Sequence, residues 1–248
     1  MTRASPAPAC LAALALLAVP LGAQEAPDRW SIQAELGFNG SGGNSSYSVL
    51  RTGLKAKHLR TDVAEFEASF LVRYGKNDEK VIADDARASV KLDLWPQQRF
   101  SPFFFADLGR DKIRKLDGRF SGGAGGKWAV WTDASGTASV SVAGLYDYQN
   151  FLVATGSAGL ESESLARWSF RTKVERKLGA ASLEQVALFQ PVWDDGSDFV
   201  LDVTHSLSTQ VLGNLSLTVE HQYLRDSTPP PGVGKDDQRF AVLLKLTF

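Results

Sequence analysis

The chain has 248 residues, 27 Lys+Arg against 28 Asp+Glu, one cysteine and 44% hydrophobic residues, with a mean hydropathy of −0.14. Balanced charge excludes the basic footprint of a nucleic-acid binder, and the apolar and aromatic content is far above that of a disordered chain. Beyond residue 23 no apolar run approaches the ~20 residues of a transmembrane helix, so the averages describe an ordinary soluble protein unless the apolar residues are patterned.

The chain begins with a stretch that reads as a secretory signal. Arg3 supplies the positive end and Ala9–Val19 the apolar segment, and Pro20-Leu21-Gly22-Ala23 breaks it before a small residue. Cleavage is expected after Ala23, followed by a short disordered segment over 24–28 and one domain over 29–248. Cys10 lies within the signal, so the mature chain has no thiol for a disulfide, a zinc site or nucleophilic catalysis.

From Arg29 onward the pattern has period two. Trp30, Ile32, Ala34, Leu36 and Phe38 alternate with Ser31, Gln33, Glu35 and Gly37, and Phe240, Val242, Leu244, Leu246 and Phe248 alternate with Arg239, Lys245 and Thr247. Such alternation marks half-buried strands. It predicts about twelve, near 29–40, 45–59, 63–75, 81–95, 99–111, 116–131, 137–150, 163–177, 181–191, 198–212, 214–226 and 237–248. Most are longer than strands of soluble sheets and suit a tilted bilayer crossing of ~9–11 residues. Every second connection is tight, as at Gly179-Ala180 and Gly213-Asn214. The others are generally longer or more polar, as at Gly40–Ser46 and Asp226–Asp237. Short turns at one end and long loops at the other predict an all-β, antiparallel up-and-down transmembrane barrel.

Aromatic residues fall at both ends of the strands. Tyr74, Tyr146, Tyr148, Tyr223 and Trp193 lie towards the long loops, and Trp30, Trp95, Trp131 and Phe248 towards the short turns. Two such girdles are expected at headgroup depth.

Four stretches carry a family resemblance. They are Gly40-Ser41-Gly42-Gly43-Asn44-Ser45, then Phe103–Trp128 (FFFADLGRDKIRKLDGRFSGGAGGKW), then Tyr223–Asp237 (YLRDSTPPPGVGKDD), and the terminal Phe248. Together they resemble the salt-induced outer-membrane protein family of Gram-negative bacteria, whose shared domain has no known function. The resemblance implies an outer-membrane barrel with no established substrate and no catalytic residues to carry over; both termini fall at the short-turn end, which is expected to be periplasmic. Phe248 also resembles the terminal signal read by the barrel-assembly machinery, which implies that machinery and outer-membrane lipids as partners.

Candidate functional residues lie on the polar register. Glu35, Arg51, Glu65, Glu67, Arg87, Lys91, Asp107, Arg119, Lys127, Arg167, Arg171, Glu220 and Arg239 are expected to line the lumen. Twelve strands enclose a lumen between the filled eight-strand barrel and the open sixteen-strand porin, so a pore and a salt-bridged, closed interior both stay open. Gly122–Gly126 resembles a phosphate-cradling loop, but alternation runs straight through it. A strand curved by glycine, with a bulky neighbour over the gap, is expected there. His205 and His221 are expected as cross-strand neighbours on the outward face, where a catalytic base, a lateral or metal contact and plain neutral histidines compete. No cofactor, catalytic residue or metal set is expected. The reading is a non-enzymatic envelope barrel, a narrow passive channel for ions or small polar solutes; the alternatives are a membrane-embedded lipid-modifying enzyme and a surface binding barrel.

Overall fold

Residues whose polar and apolar side chains alternate can satisfy their backbone only through neighbouring strands, and a closed ring of strands leaves no edge unpaired. The computed structural model, which describes residues 28–41, 47–60, 62–77, 80–152 and 162–248, shows such a ring. Its strands are β1 (Asp28–Ser41), β2 (Tyr47–Arg60), β3 (Ala64–Asn77), β4 (Lys80–Leu94), β5 (Phe100–Asp111) and β6 (Leu116–Asp133). They continue with β7 (Gly136–Phe151), β8 (Ser162–Leu178), β9 (Ala181–Pro191), β10 (Phe199–Leu212), β11 (Leu215–Asp226) and β12 (Asp236–Thr247). Each pairs antiparallel with its chain neighbours, and β1 closes on β12 through Gln33↔Thr247, Leu36↔Leu244 and the pairs between. Every expected strand is present, with ends within two residues of those read from the alternation. The signal expected over 1–23, residues 24–27 and most of the Gly40–Ser46 loop lie outside the described residues.

The pairing fixes which side chains share a face. One row runs Trp30↔His58↔Phe66↔Leu92↔Phe104↔Ala124↔Gly144↔Trp168 and points outward. One residue along each strand, Ser31↔Lys57↔Glu67↔Lys91↔Phe105↔Gly123↔Leu145↔Arg167 points into the lumen. The outward face stays apolar and exposed at Phe38, Leu54, Phe70, Phe104, Val130 and Phe240, as a surface meant for hydrocarbon must be. The buried residues sit inside: Leu243, Thr218, Asp147 and Ser101 are fully covered.

The glycine run lies within β6, as the alternation requires. Gly125 faces the lumen, where a Cβ would lie 2.2 Å from the Val142 carbonyl oxygen of β7, so the close approach of the two strands demands glycine. Gly126 faces outward beneath the Phe100 ring, with Trp128 beside it; these are the bulky neighbours expected over the gap.

Candidate functional site: a charged lumen in two halves

Strand direction gives every lumen residue a height between the short turns and the long loops. In the loop-side half the basic residues on the wall are arginines, apart from Lys80 at the rim. Arg51 donates through Nε to Glu35 at 2.8 Å and through Nη1 to Glu220 at 2.5 Å, tying β1, β2 and β11 together. Arg73 donates to Asp85 at 2.9 Å, and Arg87 through Nη2 to Asp107 at 3.0 Å. Arg239 lies 2.7 Å from Asp237.

Asp147 is the hub of this half. Its carboxylate, fully buried, accepts two bonds from Arg119 at 2.8 Å and one each from Ser121 and Gln149. Arg167, also buried, lies 3.5 Å from Asp147 and 3.0 Å from Asp198 and donates to the Gln190 carbonyl. Bidentate arginine–carboxylate bonding fixes geometry as well as charge, and this cluster fastens β6, β7 and β8 to the β9–β10 loop.

In the short-turn half the basic residues are lysines, apart from Arg29 and Arg171. Lys55 pairs with Glu67 at 2.8 Å and Lys57 with Glu65 at 2.7 Å. Asp93 receives Lys91 at 2.8 Å and Lys127 at 3.4 Å, while Lys173 bridges Glu175 and Glu184. Among the described residues Arg171, Lys177 and Lys245 have no carboxylate within ion-pair distance.

Strands divided at their midpoints therefore carry opposite excesses. Among the described residues the six loop-side arginines and Lys80 share the inward register with ten carboxylates, Glu35, Asp85, Asp107, Asp147, Glu220 and Asp237 together with Asp111, Glu163, Asp202 and Asp226. The nine basic residues of the short-turn half, Arg29, Lys177 and Lys245 among them, face only five carboxylates. Arg87 and Glu220 sit at strand midpoints and are counted with their partners Asp107 and Arg51.

A cavity of about 370 Å³ occupies the loop-side half, lined from nine strands by residues including Arg51, Arg73, Arg119, Arg239, Asp85 and Asp202. Contacts cross the barrel above it. Arg114 of the β5–β6 hairpin reaches Asp226 at 2.6 Å, and Lys115 donates to the Pro231 carbonyl at 2.7 Å. Arg239 of β12 approaches Asp111 of β5 at 3.7 Å. Strands β5 and β11 are six apart in a ring of twelve, so these contacts join opposite walls. On the rim, hydrogen bonds from the Ser197 hydroxyl and amide hold the Asp195 carboxyl below its ordinary range.

All thirteen residues expected to line the lumen are on the inward register, and all but Arg171 are in ion pairs. Sequence reasoning missed Asp147, Asp111, Asp237 and Glu184 as members of this set. Strand counting from the nearest tight turn would have placed each of them inward. The cross-lumen bonds of Arg114 and Lys115 have no local signal, because their partners lie on the opposite wall.

Of the expected girdle, Trp30, Tyr74, Trp95, Tyr146, Tyr148 and Phe248 are exposed on the outer face, with Trp131 and Tyr223 half-buried there. Tyr146 donates to Ser164, and Trp30 stacks on His58 at 4.5 Å between centroids. His205 and His221 are direct cross-strand partners on the outer face, flanked by Gln185 and Phe240. Their rings lie parallel, 6.0 Å apart between centroids, and His221 stacks on Phe240. Among the described residues no group of three or more His, Cys, Asp or Glu side chains is placed to hold a metal ion.

Residues 34–248 match the family described as "Protein of unknown function, DUF481". The chain belongs to this family. Among solved structures, this family member is similar to the translocator domain of the autotransporter NalP from Neisseria meningitidis, with a TM-score of 0.51 and 12% identity over 91% of this chain and 89% of that one. It is similar also to the NanC porin, with a TM-score of 0.52 and 12% identity over 88% of this chain and 98% of that one. At such identity the likeness is one of fold: the chain is a twelve-stranded antiparallel barrel of the outer-membrane kind. No curated protein matches the sequence.

Proposed function

We propose that this protein is a non-enzymatic barrel of the Gram-negative outer membrane that acts as a narrow passive channel for ions or small polar solutes. The observation that carries this reading is the cavity of about 370 Å³ lined by ionised groups of both signs from nine strands, inside a wall whose outer face is apolar. Ionised side chains at close quarters replace part of a permeant ion's hydration, and so polar a lining would be a costly way to fill a core. The likeness in fold to a porin supports the same reading. The bonds of Arg114 and Lys115 across the mouth narrow the passage to the spaces on either side of them.

The termini are periplasmic in this reading, the loops face outward, and the assembly partners are the barrel-assembly machinery and outer-membrane lipids. Production raised by salt, as the resemblance of Gly40–Ser45 and Tyr223–Asp237 implies, belongs to the same proposal; protein levels in cells grown at low and high salt test it. The channel is tested in planar bilayers, where the refolded protein gives stepwise conductance. Silence from protein that still shifts its gel mobility on boiling would count against a pore.

A further inference from the structure

The two halves of the lumen differ in the sign of their charge, and a channel reading alone makes no use of this. Among the described residues the loop-side half carries three more carboxylates than basic groups and the short-turn half four more basic groups than carboxylates. The surplus resides in identifiable groups. Asp202 accepts from the Gln222 amide and the Thr204 hydroxyl and has no cationic partner among the described residues. Arg171, Lys177 and Lys245 have no carboxylate of the described residues within ion-pair distance. At 0.1 M salt the Debye length is ~10 Å, so within that distance of the wall the fixed charge of each half governs which mobile ions enter it.

We propose that the lumen is a bipolar conduit that passes small inorganic ions preferentially in one direction of applied field. This rests on the channel reading above. The loop-side half concentrates cations and the short-turn half concentrates anions. With the loop side positive, cations enter through the half that attracts them and anions enter from the other end through theirs. Both accumulate where the halves meet, and current is high. With the polarity reversed, each ion must enter through the half that repels it, the junction is depleted, and current is low.

The test uses single channels of the full chain in planar bilayers with symmetric KCl. A Gly196→Cys substitution in a Cys10→Ser background marks orientation. Gly196 has open space around it in the β9–β10 loop, so block by an impermeant polyethylene-glycol maleimide identifies the loop side. In 0.1 M KCl the current with the loop side positive should exceed that at the opposite polarity by ~2-fold, and the ratio should fall towards one in 1 M KCl as screening shortens. The triple variant Arg171→Gln, Lys177→Gln, Lys245→Gln should lower the ratio in 0.1 M KCl towards one, and it leaves no carboxylate stripped of a partner. Asp202→Asn, from the other half, should weaken the asymmetry in the same sense and covers the case in which the triple variant fails to fold. Equal currents in 0.1 M KCl, or a larger current with the loop side negative, would overturn the bipolar conduit while leaving a channel. Absence of steps at either polarity would instead remove the channel and the conduit with it.

Discussion

The loop-side half of the lumen is walled mainly by arginine and holds a buried hub beside its cavity, whereas the short-turn half is walled mainly by lysine and its ion pairs stay half-exposed. In the first, the side chains of Asp147 and Arg167 are 0% and 3% exposed; in the second, those of Lys55 and Glu67 are 43% and 33% exposed. Arginine presents a planar fork that holds carboxylates bidentately, while the lysine ammonium is a compact, well-hydrated charge on a flexible stem. The difference teaches that the loop-side half uses part of its charge to fix the wall around its cavity, while the short-turn half leaves its ion pairs half-solvated. Substitution should therefore cost most stability at the buried hub and least among the half-exposed pairs.

The largest stability effect belongs to the buried hub. Asp147→Ala strands Arg119 and Arg167 without their shared carboxylate and should cost about 3–5 kcal/mol, read from urea unfolding in lipid vesicles by tryptophan fluorescence. A loss as small as that of an exposed pair would show that water reaches the hub and would erase the distinction between the halves. Arg51→Ala leaves Glu35 and Glu220 facing each other without a cation and should cost about 2–3 kcal/mol in the same assay.

At the mouth, the double variant Arg114→Ala, Lys115→Ala releases the 227–235 loop from the opposite hairpin. It should cost about 1 kcal/mol and raise single-channel conductance; unchanged conductance would mean that the crossing bonds do not lie in the ion path. The smallest effect is expected for Lys55→Gln, whose half-exposed partner Glu67 stays solvated. The change should be within about 0.5 kcal/mol, and a loss comparable to that of Arg51→Ala would contradict a wet lower half.

The barrel was legible in the sequence because period two is a local property. Trp30–Phe38 and Phe240–Phe248 announce their faces residue by residue, and Gly179 and Gly213, both with positive φ, mark tight turns that set the register. The lumen residues followed from the same parity. Which of them touch was less legible, since Arg51 reaches Glu220 from a strand three places away and Arg114 reaches Asp226 across the whole mouth. Asp147 lay hidden between Tyr146 and Tyr148, whose aromatic rings gave the stronger signal there. The separation of arginine from lysine along the axis was present in the sequence as distance from each tight turn. It appears only once the strands are aligned by height, because a count by strand mixes the two halves.

The central claim is that the charged interior conducts. Single-channel recording of the refolded protein in planar bilayers tests it most directly: the account predicts discrete conductance steps. A flat trace from a barrel that resists detergent until boiled would contradict it.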